Sequence, residues 1–225
     1  MKNTQLRILG IDNFNIQQAY KDIRTNLGFI SDGSKVFAVT STKEDEGKTT
    51  IAVNLAKSLS DLRKKVLIID ADLRDSDMIS YTDLDSAQGL SEVLDGKCDW
   101  HDCVINTQYN GLDVLLSGSE TTAPMELLST EKFAALISEV RNEYDYAVVD
   151  TPASAHVLDS AIVGSVCDGV IYVVDNDNTK YNQLKTTLEK LKQKNNNIVG
   201  VIRNNATHVK KINGAKYHGR QCAKE

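Results

Sequence analysis

Apolar residues fall in short, dense runs separated by stretches with a helical repeat. VFAVTS at 36–41 leads to IAVNLAKSL at 51–59 and then to VLIID at 66–70. The outer two runs are rich in β-branched residues, whereas Ile51, Leu55 and Leu59 recur four apart, so the order reads strand, helix, strand. LDVLLSG (112–118), FAALISEV (133–140), YAVVD (146–150), GVIYVVD (169–175), a Lys-rich helix around Gln183 to Lys194 and IVGVIR (198–203) continue the alternation. Strands with no polar residue at every second position are those covered on both faces. Strand, helix, strand units also place successive strands parallel. The pattern predicts a three-layer α/β fold around a mainly parallel central sheet. A further helix, Asn15 to Ile30, carries Ile16, Ala19, Tyr20, Ile23 and Leu27 at helical spacing and reads as an N-terminal helix appended to the sheet.

Composition narrows the function classes. The 225 residues are 41% apolar and 25% charged, as in ordinary globular domains, and the net charge of −5 gives no excess of positive charge for gripping nucleic acid. From Arg203 to Glu225 there are six Lys or Arg against one acid, with no apolar period, so an acidic body is expected to end in a flexible basic tail. The expected organisation is a folded domain over 1–203 and a tail over 204–225. No apolar run approaches the ~20 residues that cross a bilayer, and the first residues lack the apolar core of a secretion signal, which predicts a cytoplasmic protein. Cys98, Cys103, Cys167 and Cys222 are too few and scattered for a disulfide framework and are expected as free thiols. Cys98, His101 and Cys103 lie close in sequence, but no second ligand pair completes a tetrahedral metal site.

Candidate chemistry begins directly after the first long strand. Thr42-Lys43-Glu44-Asp45-Glu46-Gly47-Lys48-Thr49-Thr50 stands between that strand and a helix, the setting of a phosphate-binding loop. There, backbone N–H groups curl around a phosphate, the Lys ammonium reaches the β and γ oxygens, and the Thr hydroxyl ligates Mg²⁺. Lys48 and Thr49 fit those roles, although Thr42 occupies the position of the first Gly in G-x-x-x-x-G-K-[ST]. VLIID runs straight into Ala71-Asp72-Leu73-Arg74, and residues two apart on a strand face the same way, so Asp70 and Asp72 can share one site. Carboxylates at the C-terminal end of a parallel strand sit where open α/β sheets bind ligands. Asp150 closes a similar strand, followed by Thr151 and Pro152, and resembles a Walker B acid. These elements together describe a P-loop NTPase with a Mg-nucleotide site.

TSTKEDEGKTT, VLIIDADLRDSDM and YDYAVVDTPA resemble the cytoplasmic catalytic domain of the bacterial tyrosine kinases tied to capsule and exopolysaccharide synthesis. AYKDIRTNLGF (19–29), LLSGSETTAPMELLSTEKF (115–133), DGVIYVV (168–174) and IVGVIRNN (198–205) extend the similarity over most of the chain. The resemblance implies ATP-dependent phosphorylation of tyrosine. It assigns nucleotide contacts to Glu46, Gly47, Lys48, Thr49 and Thr50, places Asn204 near adenine, and gives catalysis to Lys48, Asp70, Asp72 and Arg74. Thr49, Asp70 and Asp150 would hold the metal, with Asp72 beside them. Because the chain has no spanning segment, resemblance to the split form of the family implies a membrane-spanning activator of the polysaccharide co-polymerase type, recruiting the kinase to the inner face of the membrane.

The sequence departs from the family pattern in four regions. The tail holds only Tyr217 where a tyrosine cluster is usual, leaving it as the autophosphorylation candidate. Gln18, Lys21 and Arg24 stand where E-x-x-R-x-x-R serves ring assembly, so a homo-oligomer through the N-terminal helix becomes an open expectation. Glu44 and Asp45 replace Pro and Gly, and Ala153 replaces a second Pro. Three acids, Glu44, Asp45 and Glu46, would repel ATP unless they turn outward. Two alternative functions fit parts of the sequence: a partitioning-type deviant Walker A ATPase, with Lys43 as its trans-acting lysine, and a nucleotide-binding regulator without catalysis. Tyr81, Tyr109 and Tyr181 read as packing or loop residues.

Overall fold

Among the described residues eight strands form one sheet in the order β1-β4-β5-β3-β6-β2-β7-β8. They are β1 (Lys2–Thr4), β2 (Val36–Ser41), β3 (Val66–Asp70), β4 (Ile105–Thr107), β5 (Leu112–Leu115), β6 (Tyr146–Asp150), β7 (Gly169–Asp175) and β8 (Ile198–Asn204). This computed structural model describes residues 2–30, 33–153, 157–176, 181–193 and 197–206. Adjacent strands are parallel except β4 and β5.

The strands expected to be covered on both faces are so covered in the middle of the sheet. β2, β3 and β7 are buried throughout, and β6 is buried beyond Tyr146. The expectation does not extend to β8, whose residues are only half-buried or exposed, because among the described residues β7 is its one neighbouring strand. β5 stops at Leu115, three residues before the expected end, and Leu116 to Gly118 continue as a loop toward the site. β8 runs one residue past 203, so Asn204 belongs to the strand; residues 207–225 of the expected tail lie outside the described residues.

Helices cover the two faces. α1 (Phe14–Ile30) and α2 (Lys48–Ser60) lie on one face, where Tyr20, Leu27, Ile51, Leu55 and Leu59 pack with Phe37, Val39, Ile68 and Val148. The intervening strand residues Ala38, Leu67, Ile69 and Val149 point the other way, into α3 (Leu90–Asp95), α4 (Trp100–Cys103), α5 (Pro124–Leu128), α6 (Glu131–Glu143) and α7 (Val157–Val166). α8 (Tyr181–Gln193) packs Leu191 against Tyr172 and Val174. The expected three layers are therefore present. A 3-10 turn, Met78–Tyr81, follows the loop after β3.

Candidate active site

Parallel strands carry their C-terminal ends to the same side, and β2, β3 and β6 are consecutive neighbours. Their terminal segments supply the loop before α2, Asp70 and Asp150. Asp70 and Asp150 are register partners across β3 and β6, so their side chains leave the sheet on the same face. Both are buried.

α2 begins at Lys48 with Gly47 in front of it at φ 87. A Cβ on Gly47 would stand 2.2 Å from Asn204 Nδ2, which donates to the Glu46 carbonyl at 3.0 Å. β8 thus braces the loop through its last residue. Glu46 does not crowd the loop as a repelling acid: its buried carboxylate turns inward and accepts the N–H groups of Thr42 at 2.7 Å and Lys43 at 3.0 Å. Glu44 and Asp45 are exposed. Asp45, standing where the family pattern has Gly, adopts φ 59, a left-handed conformation that Asp tolerates better than most residues. Thr50 Oγ1 is hydrogen-bonded to Tyr81 Oη at 2.7 Å, and Thr42 Oγ1 to Tyr172 Oη at 3.1 Å.

Asp70 accepts the Ser76 hydroxyl and, at 3.2 Å, the Asp72 N–H, with Ser117 as a further hydroxyl partner. Burial nevertheless dominates these bonds and pushes its pKa up to about 6. Asp150 rises to about 8, first through burial and then through the charge of Asp70; the Thr49 hydroxyl and the Lys48 ammonium oppose the shift. Its Oδ1 is buried without a hydrogen-bond partner. A carboxylate oxygen left unsatisfied beside a second buried acid, a lysine and a threonine hydroxyl suits a divalent cation, which would replace the shared protons. Burial pushes the Asp72 carboxyl up, while the N–H groups of Asp75 and Arg74 and the Lys48 charge pull it back. Among the described residues no three Asp, Glu, His or Cys side chains converge. Asp72 instead accepts the N–H groups of Arg74 at 3.3 Å and Asp75 at 3.2 Å.

Arg74 lies beside these acids but gives its guanidinium to Asp159, a nearly buried residue of α7, through Nε and through Nη2 at 3.3 Å. The structure therefore gathers Glu46, Gly47, Lys48, Thr49, Thr50, Asp70, Asp72, Asp150 and Asn204 at one end of the sheet, with Arg74 turned toward α7. Tyr217 lies outside the described residues. Sequence reasoning missed Ser76, Ser117, Tyr81, Tyr172 and Asp159. Ser76, Ser117 and Tyr172 lie inside segments that carried the family resemblance, Tyr81 read as a packing or loop residue, and Asp159 had no readable signal.

A loop of this kind between a buried strand and a helix, facing two acids on adjacent parallel strands, defines a P-loop nucleotide-binding domain. The family described as AAA domain matches residues 34–201. The tyrosine-protein kinase CpsD of Streptococcus agalactiae is 34% identical over 189 residues, covering 84% of this chain and 82% of that protein. The tyrosine-protein kinase YwqD of Bacillus subtilis is 36% identical over 189 residues, covering 83% and 80%. The kinase domain of the Escherichia coli tyrosine kinase ETK superposes with a TM-score of 0.85 at 28% identity, covering 96% of this chain and 85% of that one. The chain belongs to the bacterial tyrosine-protein kinases.

Proposed function

We propose that this protein is an ATP-dependent tyrosine autokinase serving capsular or exopolysaccharide synthesis, with Mg²⁺ as its metal. The observation that carries the reading is the pairing of Asp70 with Asp150 beside Lys48 and Thr49. Lys48 and the loop N–H groups bind the phosphates, Thr49 and Asp150 hold the metal, and Thr50 and Asn204 fix the loop. Bound Mg²⁺ would neutralise charge on the β and γ phosphates. Asp70, with its raised pKa, accepts the proton of the attacking phenol, and Ser76 and Ser117 orient its carboxylate. Asp72 lends negative charge near Lys48, and Arg74 positions the loop by its tie to α7.

The acceptor in this reading is Tyr217 of the basic tail. Among the described residues no helix is long and apolar enough to cross a membrane. A membrane-spanning activator of the co-polymerase type would recruit the kinase to the inner face of the membrane. Self-association through α1 is supported by Phe14 and Phe29, which are exposed near its two ends. Arg24 takes a different part from that of a ring-forming arginine, since it donates to the Ser58 carbonyl of its own α2.

Incubating the full chain with Mg-ATP, with and without the activator's cytoplasmic tail, tests the proposal. Phosphotyrosine should map to Tyr217 and disappear in Tyr217→Phe. Asp70→Asn should keep ATP binding and lose transfer by about 10²–10⁴-fold, the range for a positioned base. ATP hydrolysis with no phosphotyrosine under either condition would favour the partitioning-type ATPase instead, and Lys43→Ala should then lower that hydrolysis.

A further inference from the structure

Two thiols outside the phosphate loop are in contact. Cys98 Sγ lies 2.7 Å from Cys103 Sγ. Cys98 is half-buried just ahead of α4, and Cys103, the last residue of α4, is fully buried. The turn joining them is braced independently of either sulfur. Asp99 accepts the His101 N–H at 2.9 Å, Trp100 Nε1 donates to Glu139 at 2.7 Å, and the His101 ring bridges Asp99 and Glu143 at 2.6 and 3.0 Å. Those contacts fix α4 against α6, so the sulfurs stay together without a bond between them. His101 is thereby occupied, and among the described residues no third metal-ligating side chain joins the pair. A structural zinc site takes four ligands.

We propose that Cys98 and Cys103 form a dithiol that hydrogen peroxide closes reversibly to an intramolecular disulfide. The accessible Cys98 thiolate attacks one peroxide oxygen; the O–O bond breaks, hydroxide leaves and takes up a proton as water, and Cys98 becomes a sulfenic acid. The Cys103 sulfur then attacks Cys98 Sγ; an S–S bond forms, the S–O bond breaks, and a second water leaves. Two thiols lose two protons and two electrons, and one peroxide takes up both and is reduced to two waters. A small dithiol reverses the step by exchange. Among the described residues Cys167 has no such neighbour, and burial together with the Asp168 charge pushes its thiol pKa up, so it should not compete.

Both sulfurs fall in one tryptic peptide, residues 98–132, which follows Lys97 and ends at Lys132. The full chain would be treated with hydrogen peroxide, alkylated and digested. The expected peptide is unalkylated, lighter than the dithiol form by two hydrogens, and restored by dithiothreitol, while Cys167 shows the same alkylation with and without peroxide. Cys98→Ser and Cys98→Ala should each abolish that species; the wild-type peptide decides the matter even where a variant fails to fold. Full alkylation of both cysteines after peroxide, irreversible oxidation of one beside a free partner, or uptake of one equivalent of zinc that blocks both thiols would overturn the proposal.

Discussion

Asp70 and Asp150 stand opposite one another at the ends of adjacent parallel strands, both buried, with one oxygen of Asp150 unsatisfied. Their pKa values are raised to about 6 and about 8, above those of the unfolded chain. The folded protein without nucleotide therefore binds more protons than the unfolded one. The contribution of these groups is complete below about pH 4 and is lost as pH rises through 6 and then 8. Melting of the nucleotide-free protein should weaken by on the order of a few kcal/mol between pH 5 and 8. Asp150→Asn should flatten that slope, and Mg-ADP should stabilise more at pH 8 than at pH 6. A wild-type slope unchanged in Asp150→Asn would refute the coupling.

Gly47 is constrained twice, by φ 87 and by the 2.2 Å approach a Cβ would make to Asn204. Gly47→Ala should lower ATP affinity by at least tenfold in calorimetry. In the double variant with Asn204→Ala the clash is gone while the backbone strain of ~1–2 kcal/mol remains, so recovery should be partial. Full recovery would show that the steric contact alone matters.

The middle of the sheet was legible because β2, β3, β6 and β7 bury both faces, which removes polar alternation from the sequence. The phosphate loop was legible because Gly47-Lys48-Thr49 follows β2 directly. β1 and β4, three residues each, were not: their pairing, Lys2 with Ile105, is fixed by distant partners rather than by any local period. The inward turn of Glu46 escaped for a related reason. A carboxylate in a charged loop reads as solvated until the backbone donors of Thr42 and Lys43 are seen to face it. Asn204 reaches the loop across 158 residues of sequence, so its bracing contact with Glu46 was out of reach of spacing.

Asp45 gives a prediction of the opposite sign. Its exposed carboxylate lies in the phosphate loop, and its left-handed backbone suits Gly. In Asp45→Gly, relief of strain is offset by the greater entropy of the unfolded chain, about 0.4–1 kcal/mol, so stability should change little. ATP affinity should rise a few-fold at low salt, and the gain should shrink as salt screens the lost repulsion. An unchanged affinity at low salt would mean that this side chain does not sense the phosphates.

Arg74 and Asp159 offer a test that separates bracing from chemistry. Asp159 is nearly buried, and Arg74 is its cation, with the guanidinium about two-fifths exposed. Removing one partner of a buried pair costs ~3–5 kcal/mol, and the exposure of Arg74 reduces that to roughly 1–3 kcal/mol. Arg74→Met should therefore lower stability in denaturant unfolding, and Arg74→Met with Asp159→Leu should recover most of the loss by taking away the stranded carboxylate. Phosphoryl transfer measured on the same proteins is the second readout. If Arg74 only positions the loop after β3, the double variant should regain activity along with stability. Stability regained without activity would instead place the guanidinium at the reacting phosphates.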